Sequence, residues 1–158
     1  MAQIPVVNEK DKIICYKDRK DIKQEDIYRV SALWVTNSKG EFLLARRALT
    51  KKNDPGKWGP AVAGTVEKGE TYKQNMVKET NEELGLQNVE FRKGPKLRVC
   101  GNHNHFTQWY FLTLNKNIRE FKIDSREVDE IRWFSKTQFK KEDKNKFLIG
   151  AGYWVENF

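Results

Sequence analysis

Cysteine is nearly absent from this 158-residue sequence: only Cys15 and Cys100 occur, with no C-x-x-C pair. That excludes a disulfide framework and fits a reduced compartment. Histidine is as scarce. His103 and His105 in "GNHNH" share an H-x-H spacing, but with no further histidine beside them a polar loop before a strand is the better reading than a metal site. No apolar run approaches the ~20 residues that a membrane helix needs. The opening "MAQIPVVNEK" has no apolar core of the signal-peptide kind, so a cytoplasmic location is expected. There is no internal repeat, low-complexity tract or linker.

What is present suffices for one compact domain. Hydrophobic residues make up 38% and aromatics 12%, against 33% charged, which argues for a real core rather than disorder. The 30 Lys+Arg outnumber the 22 Asp+Glu, a formal net charge of +8. Such a balance favours an anionic partner, whether a phosphorylated small molecule, nucleic acid or a membrane surface, and a solvated lysine-rich surface explains it equally well.

Along the chain, "YRVSALWVTN" (28–37) is β-rich, and "SKG" ahead of "EFLLARR" supplies the turn of a hairpin. "ALTKKNDPGKW" (48–58) carries loop signals, and "GPAVAGTVEKGE" reads as a short buried strand running into a turn. In "TYKQNMVKETNEELGL", Thr71 followed by Gln74 fits a capping box, and Gly85 a C-terminal cap. Met76, Val77, Thr80 and Leu84 form the apolar stripe expected of that helix. "NVEFRKG", "LRVCG", "FTQWYFLTL" and "EVDEIRWF" read as strands, and the segment from Ser135 starts as helix. A mixed sheet covered on both faces follows. The expected core is about 28–134, with 1–27 an N-terminal extension or strand and 135–158 a C-terminal helical segment.

The helix carries an anomaly. Glu79, Glu82 and Glu83 stand at i, i+3 and i+4, on one face. Like charges so placed cost roughly 0.2–0.5 kcal/mol per pair, and they lie at the helix end whose dipole disfavours negative charge. Between Gly64 and Leu86 there are five glutamates and three lysines in an otherwise basic chain. Clustered carboxylates on a rigid element are what a hard divalent cation requires. A solvated acidic helix face is the plainer alternative.

The wider spacing adds weight to the first reading. Gly64, five residues, Glu70, seven residues, then Lys78-Glu79-Thr80-x-Glu82-Glu83-x-Gly85-Leu86 closely resembles the Nudix box, G-x5-E-x7-R-E-U-x-E-E-x-G-U, where U is bulky and aliphatic. The likeness extends from about Tyr28 to Phe134. Lys78 replaces the box arginine and Thr80 its aliphatic residue. The resemblance implies an α/β fold, the Nudix α/β/α sandwich with a mixed β-sheet. It also implies Mg²⁺- or Mn²⁺-dependent attack of water on a diphosphate linkage. On that resemblance Glu79 and Glu83 hold the cation, Glu82 is a third ligand or the partner of Lys78 one turn away, and the backbone near Ala63 and Gly64 completes the site. Glu70 assists through water or loop hydrogen bonds. The general base varies in the family; Glu79, Glu127 or Glu130 are the candidates.

A second resemblance lies in "ARRALTKKNDPGKW", which is similar to the diphosphate-binding stretch of isopentenyl-diphosphate isomerases, also Nudix-fold enzymes. It implies that Arg47 and Lys51 grip a diphosphate; an exposed basic loop is the alternative. Ala63 stands where the isomerase has its cysteine, Thr65 where it has a metal-binding histidine, and "CGNHNHFTQWYF" offers no glutamate. The expectation is therefore a hydrolase of a small-molecule diphosphate, a nucleoside diphosphate derivative first. An isomerase and a non-catalytic nucleotide- or RNA-binding module are the competing classes. Nucleic acid is the less favoured partner and a membrane is not expected. Oligomeric state is open, a homodimer included.

Overall fold

The stretch 28–36 alternates between two cores, and the architecture follows from that strand. A computed structural model describes residues 2–158. In chain order the elements are β1 (Gln3–Val7), β2 (Ile13–Asp18), β3 (Tyr28–Thr36), β4 (Phe42–Arg47), β5 (Trp58–Pro60), β6 (Val62–Thr65), α1 (Tyr72–Leu84), β7 (Arg92–Val99), β8 (His105–Thr113), β9 (Val128–Phe134), α2 (Lys136–Lys141) and α3 (Ala151–Asn157). Leu33 and Val35 of β3 join a core with Met76 and Leu84 of α1. Ala32 and Trp34 join an aromatic core with Trp109, Phe139 of α2 and Val155 of α3. Period-two alternation thus puts one helix layer on each face of the sheet.

Pairing is mixed. β3 runs parallel to β8 from Tyr28–His105 to Thr36–Thr113. It is antiparallel to β6 over Val30–Leu33 and to β4 only at Val35 and Thr36. Because β4 leaves β3 so soon, it also pairs with β9 and β5. The strand order β5-β4-β3-β8-β7 carries β6 on β3 and β9 on β4. This is the α/β architecture with a mixed sheet that the sequence implied.

Helix α1 has the expected ends. Thr71 accepts the Gln74 N–H, the Gln74 side chain reaches back to the Thr71 N–H, and Gly85 closes the helix at φ 69°. Its inward face differs by one position. Met76, Thr80 and Leu84 are buried, but Val77 is 50% exposed and Asn75 is buried in its stead. One residue turns a helix by about 100°, enough to carry Val77 off a stripe set by the four-residue spacing of 76, 80 and 84.

Three strand expectations change. "GPAVAGT" forms two short strands, β5 and β6, rather than one. "NVEFRKG" and "LRVCG" contribute to a single strand, β7, whose register against β8 shifts between Lys93 and Lys96; the Gly94–Pro95 pair sits in that irregularity, where a residue without an N–H is tolerated. The N-terminal region is a hairpin, β1 with β2. It is sewn to the domain by Lys68 N–H to Gln3 C=O at 2.9 Å. At its turn Asp11, with φ 59°, accepts hydrogen bonds from Arg29 (2.7 Å), Tyr72 (2.9 Å) and Lys96 (2.7 Å). Among the described residues no helix is long and apolar enough to cross a membrane.

Thr80 is fully buried, and its hydroxyl has no hydrogen-bond partner among the described residues. A buried hydroxyl without a partner costs about 1–3 kcal/mol. Thr80→Val keeps the shape and removes the orphan, so it should stabilise the fold by about 1 kcal/mol. Urea unfolding checks this; an unchanged or lowered midpoint would mean that the hydroxyl is satisfied.

Candidate active site

The strand β6 crosses the inner face of α1, and residue 64 is the point of contact. A Cβ on Gly64 would lie 2.5 Å from Cγ and 2.9 Å from Oε1 of Glu79. Only glycine lets the Glu79 carboxylate rest on the strand. Glu83, one turn on, meets the backbone of Ala63. Both glutamates are partly buried, whereas Glu82 is exposed on the flank of the helix.

Burial pushes the Glu79 carboxyl up to about 7, with repulsion from Glu82 adding to it. Burial likewise raises Glu83 to about 8, with repulsion from Glu79 next in weight. Glu70 goes the other way. Burial opposes its charge, but hydrogen bonds from Lys78, the Glu67 N–H and Asn75 outweigh that and hold it below the usual carboxylate range. The site thus has an ionised, paired outer carboxylate and two inner ones that repel each other.

The placement of Lys78 corrects an expectation. Its ammonium lies 2.5 Å from Glu70, 3.7 Å from Glu67 and 3.9 Å from Glu79, and Glu82 is not its partner. Helical side chains lean toward the N-terminus, so Lys78 reaches the loop before α1 instead of the turn after it. Glu70, expected as a helper, is the anchor of this loop: its other oxygen accepts from the Glu67 N–H and from Asn75 Nδ2, each at 2.9 Å.

Lys51 forms an ion pair with Glu127, and both are near enough to bias the charge of Glu83. The structure therefore brings this part of the basic loop to the carboxylates. Arg47 braces the loop itself, donating from Nε to the Asn53 carbonyl at 2.9 Å. Glu130 is taken up by Arg132 at 2.9 Å and Arg46 at 3.7 Å. Trp58, Trp109 and Tyr110 are buried, and Trp133 donates its indole N–H to the Lys116 carbonyl, so none of the four is an open stacking platform. His105 is held by Thr107 at 2.9 Å, and burial lowers it to about 4, which suits a neutral packed ring. Sequence reasoning passed over Asn75, Ser31 and Glu67. For Asn75 the available signal was an asparagine inside a helix, where it competes with the backbone unless something holds it.

Does this donor set fit a divalent cation? Among the described residues no three Asp, Glu, His or Cys side chains have closed into a ready-made cluster. Like-charged carboxylates do not converge unaided, and Mg²⁺ keeps several waters and uses one or two carboxylates plus substrate oxygens. The cradle at Gly64 and the two mutually repelling carboxylates fit such an ion.

Comparison with known proteins bears on the family and the fold. A family model, the NUDIX domain, matches residues 27–154. An uncharacterized Nudix hydrolase of Pseudomonas aeruginosa is 32% identical over 128 residues, covering 80% of this chain and 75% of that protein. An isopentenyl-diphosphate Delta-isomerase of Klebsiella pneumoniae is 41% identical over only 54 residues, 34% of this chain and 29% of the isomerase. Among solved structures, a Deinococcus radiodurans protein superposes with a TM-score of 0.82 at 20% identity, over 98% of this chain and 97% of its own.

The raised carboxyls make the metal-free protein's stability depend on pH. Glu79 and Glu83 stay protonated in the folded state where the unfolded chain, with an ordinary value of 4.5, has released those protons. Their contribution is complete below about pH 4.5 and is lost as pH rises through 7 and 8. His105 acts oppositely, but only below its unfolded value of 6.5. With metal chelated, the melting temperature should therefore fall between pH 6.5 and 8.5, and Glu83→Gln should flatten that slope. A rising melting temperature in that window, measured by differential scanning fluorimetry, would contradict the assigned environments.

Proposed function

Because the chain belongs to the Nudix hydrolase family, we propose that it cleaves a diphosphate linkage in a small molecule, a nucleoside diphosphate derivative first, with Mg²⁺ or Mn²⁺ as cofactor. The observation that carries this reading is the seating of Glu79 against Gly64 with Glu83 beside it. The ammonium closest to Glu79, that of Lys78, stands off at 3.9 Å and is held by Glu70. The net charge of +8 supports an anionic substrate.

In this reading Glu79 and Glu83 hold the cation with the Gly64 backbone, and Glu82 contributes from the exposed flank. The chemistry that a divalent ion supplies when bound there is neutralisation of phosphate oxygens and acidification of water. Lys51 and Arg47 bind and orient the diphosphate, the first as a mobile point charge and the second as a planar fork. Glu127 is engaged by Lys51, which leaves Glu79 the freer carboxylate to accept the proton of the attacking water. Lys78 and Glu70 keep the loop in place around Glu79. Isomerase chemistry lacks its proton donor here, since Ala63 has no acidic side chain. A non-catalytic module has no use for two half-buried, repelling carboxylates.

Two measurements test the proposal. Phosphate or nucleotide release should be screened against a nucleoside diphosphate panel with Mg²⁺ and Mn²⁺. With the substrate so found, Glu83→Gln should lower kcat by at least about 10²-fold, or ~2.7 kcal/mol of barrier; unchanged turnover would refute the metal role, and solvent deuterium entering isopentenyl diphosphate would refute the hydrolase. Arg47→Ala should mainly raise KM with a smaller change in kcat, as uniform binding requires; an equal loss in both would place Arg47 in the transition state instead.

A further inference from the structure

Two fully buried polar side chains face one another behind the carboxylates: Ser31 on β3 and Asn75 on α1. The Ser31 hydroxyl donates to Oδ1 of Asn75. The Asn75 nitrogen donates to the Thr65 carbonyl at 3.1 Å and to Oε2 of Glu70 at 2.9 Å. Both of those acceptors lack a proton to give, so the amide can sit only one way round, and its two N–H groups and its oxygen are all used. Alanine is a better helix former by several tenths of a kcal/mol and, paired with alanine at 31, would bury no polar group. What alanine would forfeit is the hold on Thr65 and Glu70.

Those two attachments lead to the site from opposite sides. Thr65 follows Gly64, on which the Glu79 carboxylate rests. Glu70 holds Lys78 at 2.5 Å, and Lys78 stands 3.9 Å from Glu79. We propose that Asn75 is a positioning residue of this active site: its buried amide fixes the Thr65 carbonyl and the Glu70 carboxylate, and through them sets the Gly64 backbone and Lys78 around Glu79. Ser31 orients the amide. Its backbone faces Gly64 across the β3–β6 pairing, which alanine at 31 would keep, and among the described residues its hydroxyl bonds to none of Thr65, Glu70 and Lys78. The inference rests on the reading that Glu79 and Glu83 hold the divalent ion. It extends that reading to a residue for which the box spacing makes no demand.

Mn²⁺ binding to the chelator-stripped full chain, followed by the electron paramagnetic resonance signal of the free ion, separates positioning from mere packing. Asn75→Ala should weaken Mn²⁺ binding about 10-fold or more, the usual effect of losing a residue that orients ligands. Ser31→Ala removes a hydrogen bond at the same depth but leaves both attachments, so it should lower the melting temperature while keeping Mn²⁺ affinity within about 2-fold. If Asn75→Ala does not fold, Asn75→Ser, too short to span both acceptors, should show the same loss. Wild-type affinity in a folded Asn75 variant, or an equal loss in Ser31→Ala, would overturn the positioning role alone. No Mn²⁺ binding by the wild type, or binding untouched by Glu83→Gln, would overturn the metal reading beneath it.

Discussion

The contact between the Glu79 carboxylate and the bare Cα of Gly64 is the constraint around which the rest is arranged. It demands that β6 lie close under α1, which requires β6 to pair with β3 over Val30–Leu33. It also demands that α1 start and stop at fixed places, so that Glu79 and not a neighbour faces the strand. The capping box at Thr71 and the left-handed Gly85 fix those ends. A side chain at 64 would displace the Glu79 side chain from the strand, while Met76 and Leu84 hold the helix to the sheet through the core they share with Leu33 and Val35.

The carboxylates from Glu67 to Glu83, in the loop and on the helix, are graded by depth and by partner. Glu70 and Glu67 are matched by Lys78, so the loop before α1 is held by charge attraction. Glu79 and Glu83 sit deeper and are raised by burial and by each other. Repulsion that costs a few tenths of a kcal/mol on a solvated helix grows as the dielectric falls. The fold tolerates it because the supporting groups are satisfied on the far side, through Asn75 and Ser31. On the proposed metal reading, a divalent cation would turn that repulsion into attraction.

The two faces of the sheet divide the work. The side carrying α1 holds polar and charged groups close to the backbone. The opposite side is a mass of rings, with Trp109 against Trp154 and Phe158 at 5.1 and 4.9 Å, and Phe139 against Phe147 at 4.7 Å. Such packing makes the central strands stiff, and a stiff β3 is a fixed reference for Ser31, Asn75 and the β6 backbone. The N-terminal hairpin adds a brace, since Asp11 joins Arg29, Lys96 and the first residue of α1, Tyr72.

Much of this was legible in one dimension, and the part that was not has a common cause. The Thr71–Gln74 cap, the Gly85 stop, the β-rich run of β3 and the spacing of Gly64, Glu70, Glu79 and Glu83 each lie within one short continuous stretch of chain. Backbone hydrogen bonding and side-chain period determine those features directly. Of the two readings open for Glu82, the pairing with Lys78 is not the one formed, because helical side chains lean toward the loop at Glu67 and Glu70. The unity of β7 required β8 as a template, and Val77 left the buried stripe because the packing of 76, 80 and 84 against the sheet chose the helix's rotation. Asn75 had meaning only once Ser31, 44 residues earlier, lay opposite it. By itself the sequence determined the central helix with its caps, β3, β4, β8 and β9, and the acidic constellation, because these are local. Only the tertiary structure decided which charges meet, because partners distant along the chain are chosen by how strands cross and helices pack.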